Sequence, residues 1–156
     1  MQRIVLLGGD PELIARESAR DGSSAGELAA LTAGAAVGTG EAKRRALAEV
    51  LTSRDAPAYR LAAISRGLFP AEQFELTQPL AAQWFARINR LSQWRQGWGL
   101  TGIIRAGLPL GHADDDTLTA AEEALNDPAL DPTVGRALRD GLEQLSRQNR
   151  SWHAFG

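Results

Sequence analysis

A histidine beside carboxylates is the first arrangement in this sequence that could do chemistry. His112 follows a glycine and precedes three aspartates, Asp114, Asp115 and Asp116. Imidazole and carboxylate groups both ligate divalent metals, so this run is a candidate metal site. Aspartates in front of a helix also act as N-caps. We favour the second interpretation, a solvated loop in which Asp115 or Asp116 caps the next helix.

Two other residues are weaker candidates. Ser65 stands two positions before Gly67, but the sequence lacks the strand-turn-helix context and the histidine that would activate a serine. His153 lies near the C-terminus beside Trp152 and Phe155, and the sequence names no partner for it. We therefore assign no catalytic, metal-binding or cofactor-binding residue in this chain.

The N-terminal segment shares part of its pattern with nucleotide-binding units. An apolar run over residues 4–7 leads through two glycines to Asp10-Pro11, like a strand that feeds a glycine turn and a helix. The full glycine spacing is missing, no second strand with an acidic residue follows, and carboxylates occupy the place of the phosphate. We favour the end of a helix here. A nucleotide-binding protein would need strand structure at residues 3–7.

Tryptophan and arginine cluster in the middle of the chain, where they could form a platform for single-stranded nucleic acid. The cluster comprises Trp84, Trp94, Trp98, Arg87, Arg90 and Arg95. Trp84, however, lies on an apolar ridge, and the whole chain carries a net charge of -2. We therefore favour core packing for the tryptophans.

A second group of charged residues lies near the C-terminus. It comprises Arg136, Arg139, Arg147 and Arg150 with Asp140 and Glu143. The spacings favour pairs within one helix, each worth about 0.3–0.5 kcal/mol. This face is predicted to be solvated.

The composition limits the class of protein. The chain has 156 residues, enough for one domain, and 17 basic and 19 acidic residues are mixed along it. Its apolar runs fall short of the roughly 20 residues of a membrane span, and the N-terminus has no secretory signal pattern. It contains no cysteine. We expect a soluble cytoplasmic domain over residues 1–156, with no nucleic-acid or membrane partner.

Helix signals cover nearly the whole chain. Proline after a cap residue starts helices at Asp10-Pro11 and Asp131-Pro132, and Gly67 is placed as a C-terminal cap. The predicted helices run from Asp10 to about Asp21, over 25–36, from Thr39-Gly40 onward, over 57–66, through 80–91, over 94–106, behind Asp115 or Asp116, and from Asp131 onward. Pro79 either starts the helix through 80–91 or kinks a longer one that begins near Glu72.

Apolar residues recur at the spacing of three and four that forms one helix face. The predicted stripes are Leu28 and Leu31; Ala42, Ala46, Leu47, Val50 and Leu51; Leu80, Trp84, Ile88 and Leu91 with Phe85; Leu118, Ala121 and Leu125; and Val134, Leu138, Leu142 and Leu145. Arg44, Arg45 and Glu49 are expected to face solvent. Three glycines in 94–106 predict either close backbone approach or irregular helix.

A faint repeat at an offset of 74 residues suggests how these helices are arranged. Ala46, Glu49, Leu51, Ala63, Gly67 and Leu68 recur as Ala120, Glu123, Leu125, Ala137, Gly141 and Leu142. Each set covers a helix, a short turn and a second helix. The predicted fold is all-α, with stacked antiparallel helical hairpins in a HEAT-like α-solenoid.

The order of motifs resembles one known family. Those motifs are Asp21-x-Ser23-Ser24-x-Gly26, Thr39-x-Glu41-Ala42-Lys43, Gly67-Leu68-Phe69-Pro70, Trp94-Arg95-x-Gly97-Trp98, Gly107-Leu108-Pro109 and the linker over 127–132. Over nearly the whole chain they resemble the C-terminal helical domain of the aminopeptidase N family of zinc metallopeptidases, of the actinobacterial type. The chain departs from the family at Leu68-Phe69-Pro70, where members have an aromatic pair followed by glutamine.

The resemblance implies a helical domain that closes over a zinc-containing catalytic domain of the same polypeptide and limits the access of peptide substrates. The family's His-Glu-x-x-His zinc motif and Gly-x-Met-Glu-Asn loop are missing from this chain. We therefore expect no peptide hydrolysis by the chain itself, with zinc in the parent enzyme. Met1 falls inside what resembles a family helix, so a severed domain is expected to expose an apolar face near residues 2–8. The alternative, a free-standing helical-repeat interaction module, would have a polar capping helix there.

Overall fold

A computed structural model of the chain describes residue 12, residues 24–112 and residues 114–155, without the side chains of residues 152, 153 and 155. The helix predicted from Asp10 to Asp21, the pattern at residues 3–9 and the apolar face near residues 2–8 lie outside this part. Within 24–112 and 114–155 the backbone forms seven α-helices and no strand. The predicted all-α class is confirmed.

The helices follow one another with short connections. They are α1 (Ser24–Ala35), α2 (Gly40–Thr52), α3 (Ala58–Arg66), α4 (Phe74–Arg87), α5 (Gly97–Ala106), α6 (Asp115–Leu125) and α7 (Pro132–Phe155). Two 3₁₀ segments, Ala71–Gln73 and Ile88–Gln93, flank α4. None of the described helices is long and apolar enough to cross a bilayer.

Local signals set most helix boundaries. The Thr39 side chain accepts a hydrogen bond from the amide of Ala42 at 3.2 Å, and Asp131 accepts one from the amide of Thr133 at 2.8 Å. Both caps are as predicted. The cap of α6 is Asp114, which accepts from the Thr117 amide at 3.0 Å. The prediction of Asp115 or Asp116 was wrong, because Asp114 keeps an extended backbone and the helix begins directly after it.

The α4 region takes the longer of its two predicted forms. The helix begins at Phe74, after a 3₁₀ turn, and Pro79 lies inside it. The predicted ridge of Leu80, Trp84, Ile88 and Leu91 is buried and forms the centre of the core. The ring of Phe85 packs edge-on against Trp84, with centroids 5.1 Å apart. In α1, by contrast, the predicted Leu28 and Leu31 are only half-buried.

The helices lie in two layers. In one layer α1 packs on α3, α3 on α5, and α5 on α7, while in the other α2 packs on α4 and α4 on α6. Side-chain contacts show that α1 and α3 run parallel, since Glu27 pairs with Arg60 and Thr32 bonds to Ala63. Helices that are neighbours within one layer are therefore two apart in the sequence, and the helix between them along the chain belongs to the other layer. Stacked hairpins would produce this order, and the HEAT-like solenoid stays a prediction.

The glycines of α5 combine both predicted features. Gly97 has a φ of +60° and turns the chain into the helix. A Cβ atom at Gly99 would lie 3.0 Å from the Cβ atom of Ala58, so α3 and α5 approach closely at this point. Gly102 has no atom within 4 Å of such a Cβ position. The close approach of α3 to α5 therefore depends on glycine at position 99 but not at position 102.

Gly67, at the end of α3, lies against the backbone of α1. A Cβ atom there would lie 2.1 Å from the carbonyl oxygen of Thr32 and 2.8 Å from the Cβ atom of Ala35. No side chain can yield to relieve the first contact, because the atom belongs to the backbone. The close packing of α1 on α3 therefore requires glycine at position 67.

Replacing Gly67 by alanine is expected to lower the free energy of unfolding by about 2–4 kcal/mol, because α1 and α3 must separate. The matched control is Gly102→Ala, which adds the same methyl group in open space inside a helix. That control is expected to raise the free energy of unfolding by about 0.5–1 kcal/mol. Urea denaturation followed by circular dichroism measures both. Equal effects of the two substitutions would contradict this account of α1 and α3.

Candidate functional site

His112 is fully buried, so the prediction of a solvated loop was wrong. The loop after α5 crosses the 3₁₀ turn before α4, where a Cβ atom at Gly111 would lie 3.1 Å from the Cα atom of Ala71. This path inserts the imidazole between Phe69 and Phe74, with ring centroids 5.7 and 5.1 Å away. The histidine is an interior residue of the domain.

A hydrogen bond to Thr77 sets the tautomer of His112. The Thr77 hydroxyl donates its single proton to the carbonyl of Gln73 at 2.9 Å and also contacts Nε2 of His112. Both contacts are hydrogen bonds only if Nε2 carries the proton of the neutral ring and donates a hydrogen bond to the hydroxyl oxygen of Thr77. Nδ1 of the neutral ring is then a bare lone pair, and within the described residues it has no hydrogen-bond partner.

The aspartates after His112 hold helix ends together. Asp114 caps α6 and lies 3.3 Å from the side-chain amide of Gln78, while Asp115 accepts from Asn149 of α7 at 3.1 Å. In the described part of the chain, no group of three or more histidine, aspartate or glutamate side chains could hold a metal ion. The candidate metal site at His112 therefore has no support in the structure.

Lys43 is a buried charged residue that the sequence patterns did not reveal. Its ammonium is fully buried on α2 and donates to the carbonyl oxygens of Ala35 at 2.7 Å and Gly67 at 2.8 Å. These carbonyls end α1 and α3, where the helix dipoles are negative. A signal was present in the sequence, since Lys43 precedes Leu47 by four residues and Val50 by seven, on the buried face of α2.

Gln73 performs a related task beside Lys43. Its side-chain amide donates to the carbonyl of Ala36 at 2.9 Å, the residue that follows the end of α1. Its Oε1 atom is buried without a partner among the described residues. We call Lys43, Gln73, Thr77 and His112 the polar junction. It joins α2, the 3₁₀ turn before α4, α4 itself and the loop after α5.

Burial controls the protonation of the junction. It lowers the pKa of Lys43 to about 7. Burial also lowers the pKa of His112; Asp114 opposes this change, and the nearby Lys43 adds to it. For Asp114, burial raises the pKa, but the hydrogen bonds from Thr117 and Gln78 outweigh it and the net pKa falls. Near neutral pH the junction favours a neutral imidazole.

The junction is closed to outside reactants. Lys43 and His112 are both buried completely, and Lys43 already bonds to two carbonyl groups. A general acid or base must reach the proton that it transfers, directly or through one water molecule. As built, these groups stabilise helix ends and offer no acid–base catalysis to an external substrate.

The remaining candidates separate into buried and exposed residues. Ser65 is buried, and its hydroxyl donates to the carbonyl of Leu61 at 2.7 Å, so it is not a free nucleophile. The side chain of His153 lies outside the described residues. In the C-terminal group, Asp140 pairs with Arg105 of α5 at 3.4 Å, and Arg147 donates to the carbonyl of Glu143. Arg136, Arg139, Arg147 and Arg150 are exposed, as predicted for a solvated face.

The tryptophan and arginine cluster does not come together as one platform. Trp84 is buried in the core, as predicted, whereas Trp98 is 89% exposed, so core packing was wrong for it. Trp94 is half-buried, with the guanidinium of Arg54 4.9 Å from its ring centroid. Arg95 donates to the carbonyls of Ser53 and Ala56 in the loop before α3. Arg87 and Arg90 are exposed near the end of α4.

Replacing Lys43 by methionine is expected to lower the free energy of unfolding by about 2–4 kcal/mol. The cause is that the carbonyls of Ala35 and Gly67 lose their donor inside the protein. The control is Arg44→Met on the exposed face of α2, with an expected change below about 0.5 kcal/mol. Urea denaturation at pH 7 measures both, and a Lys43→Met variant as stable as the control would refute the bridging role.

Stability is expected to rise with pH in two windows. Lys43 and His112 both have a lower pKa in the folded chain than in the unfolded one, so the unfolded chain binds more protons. Deprotonation of Lys43 should stabilise the fold between about pH 7 and 10.5, and that of His112 as pH rises towards 6.5. Urea midpoints from pH 5 to 10 measure this dependence. Lys43→Met should abolish the upper window and reduce the lower one, because the Lys43 charge no longer helps to lower the pKa of His112. A wild-type curve already flat above pH 7 would contradict the prediction.

Comparison with known proteins does not identify a family for this chain. No protein-family model matches the chain, and no curated protein matches it. The described residues present a closed polar junction inside and an exposed tryptophan outside.

Proposed function

We propose that this chain is a non-catalytic helical domain of an aminopeptidase N-type zinc metallopeptidase. In this role it closes over the catalytic domain of the same polypeptide and limits which peptides reach it. The observation that carries the proposal is the engagement of every fully buried ionisable side chain among the described residues, Lys43 and His112, with helix ends and loops. A domain whose buried polar groups only hold helices together is suited to a structural role.

The lack of a zinc-binding arrangement in the described residues is compatible with this role. They contain no cluster of histidine and acidic side chains that fits a zinc ion. We therefore assign no step of peptide hydrolysis to this chain. Zinc and the hydrolytic residues would belong to the catalytic domain of the parent enzyme, which is a peptide hydrolase.

Two grooves at the surface support the same conclusion. One, of about 350 Å³, lies between α1, α2 and α3, and the other, of about 480 Å³, lies between α4 and α6. Alanine and other apolar residues form most of the lining of both grooves. In the first groove the charged residues Glu27 and Arg60 pair with each other across α1 and α3, which suits a structural role. The second contains Glu123 and Asp127.

The proposal includes the predicted architecture, partners and location. The helices would be HEAT-like stacked hairpins, and the partners would be the catalytic domain and the peptide substrates of the parent enzyme. No nucleic acid or membrane partner is assigned. We place the protein in the cytoplasm, on the basis of its composition and its lack of cysteine.

A free-standing helical-repeat interaction module is the second candidate, and one observation favours it. Trp98 is 89% exposed and Tyr59 61% exposed. Exposed aromatic side chains of this size are typical of binding surfaces in proteins that act through partners. In this alternative the chain has no catalytic domain and works by recognition alone.

The size of the native polypeptide distinguishes the two candidates. An antibody against this chain, applied to source-cell lysate, is expected to detect a band several times larger than 16.7 kDa. The precipitated protein is expected to release amino acids from aminoacyl-anilide substrates, and a zinc chelator should abolish this activity. A band near 16.7 kDa without such activity would refute the aminopeptidase proposal and leave the interaction module.

A further inference from the structure

Two large aromatic side chains on neighbouring helices face solvent. Trp98 of α5 is 89% exposed and Tyr59 of α3 is 61% exposed, and they are the exposed large hydrophobic residues of the described part. The other large apolar side chains of this part are buried or half-buried. Tryptophan and tyrosine are the residues that most often dominate protein interfaces. Because these side chains are exposed, they contribute little to the core, and a role in binding a partner explains them better than a role in folding.

The two aromatic residues lie next to the contact between α3 and α5. A Cβ atom at Gly99 would lie 3.0 Å from the Cβ atom of Ala58, so α3 and α5 touch near their first turns. Trp98 directly precedes Gly99, and Tyr59 directly follows Ala58. Both side chains therefore flank the point where these helices meet. They stand on helices rather than on a loop, which keeps them in place before a partner binds.

Two arginines lie in the loops that lead into α3 and α5. Arg95 joins the loops before α3 and α5, through bonds from its guanidinium to the carbonyls of Ser53 at 3.1 Å and Ala56 at 2.6 Å. Arg54 lies over the ring of Trp94 at 4.9 Å. Within the described residues, no carboxylate forms an ion pair with either arginine.

Basic residues outnumber acidic ones in the loops and first turns that lead into α3 and α5. Asp55 stands in the loop before α3, and the first turns of both helices contain no acidic residue. Arg60, in the first turn of α3, pairs with Glu27 of α1. Arg54 and Arg95 therefore give these segments a positive net charge, although the whole chain has a net charge of -2.

We propose that Tyr59, Trp98, Arg54 and Arg95 form a docking surface for an acidic segment of another protein, in which carboxylates flank an apolar side chain. The apolar side chain would pack on the aromatic rings, and the carboxylates would lie beside the arginines. This inference does not rest on the proposed aminopeptidase role, since either candidate function can use such a surface.

Single-stranded nucleic acid is the other ligand that aromatic and basic side chains can bind, and the structure favours it less. Binding along a strand requires a track of cations that contact successive phosphates. Arg87, which ends α4, and Arg90, in the 3₁₀ segment Ile88–Gln93, would have extended the track, but neither belongs to α3 or α5. One localised positive site fits a carboxylate pair better than a phosphate chain.

The test uses the full chain and a fluorescein-labelled peptide in which glutamates flank a phenylalanine and a leucine. Fluorescence anisotropy should show saturable binding that weakens as salt is added. Trp98→Ala is expected to weaken binding about tenfold or more, and Trp98→Phe much less. Arg54→Glu should also weaken it. The control Arg66→Glu, on the exposed far end of α3, should leave binding unchanged, and Tyr59→Ala serves as a second aromatic variant.

Three results would overturn the proposal. The first is no saturable binding of the glutamate peptide at millimolar concentration, or equal binding of a matched peptide with glutamine in place of glutamate. The second is unchanged affinity in both Trp98→Ala and Tyr59→Ala, each confirmed as folded by its helical circular dichroism. The third is tighter binding of a labelled oligothymidylate than of the glutamate peptide, which would assign the surface to nucleic acid.

Discussion

The contact of the Lys43 ammonium with the ends of two helices is the interaction on which the described fold depends most. The last carbonyl groups of a helix have no partner within it, and at the ends of α1 and α3 they point into the protein rather than into water. The buried amino group of Lys43 donates to both carbonyls, and with a pKa of about 7 it has enough N–H groups for these two bonds in either protonation state. Gly67 allows this arrangement, because any side chain there would collide with α1. The lysine and the glycine thus act together.

The other residues of the polar junction continue this hydrogen-bond network from the end of α1 to the loop after α5. Gln73 bonds to the residue after α1, Thr77 bonds to Gln73, and His112 bonds to Thr77. The loop after α5 is thereby tied to α4 and to the end of α1 through three side chains. A buried lysine is costly, because its charge loses contact with water; this desolvation lowers the pKa of Lys43. Burial likewise lowers the pKa of His112, and the nearby Lys43 adds to that change. Such groups can specify one alignment of helices over others, and we offer that as their role here.

The ionisable residues of the polar junction are buried, whereas Trp98 and Tyr59 are exposed. Inside, the ionisable groups lie beyond the reach of a substrate, and the described residues hold no metal-binding cluster. Outside, Trp98 and Tyr59 stand on helices whose preceding loops contain Arg95 and Arg54. Recognition through this surface is what we propose for it. Membership of an aminopeptidase is a separate proposal, because an all-helical fold by itself does not imply one function.

The sequence by itself determined the class of fold, most helix boundaries and the apolar stripes. Thr39, Asp131 and Gly67 act within a few residues of their own positions, and stripes such as Leu80 to Leu91 depend only on helical spacing. The tertiary structure decided the burial of Lys43 and His112, whose partners include Gly67 and Thr77 at separations of 24 and 35 residues. It also decided the exposure of Trp98, because α3 meets α5 through Ala58 and Gly99 and leaves the neighbouring ring outside. Contacts between distant segments set these outcomes, and local patterns do not encode which segments meet.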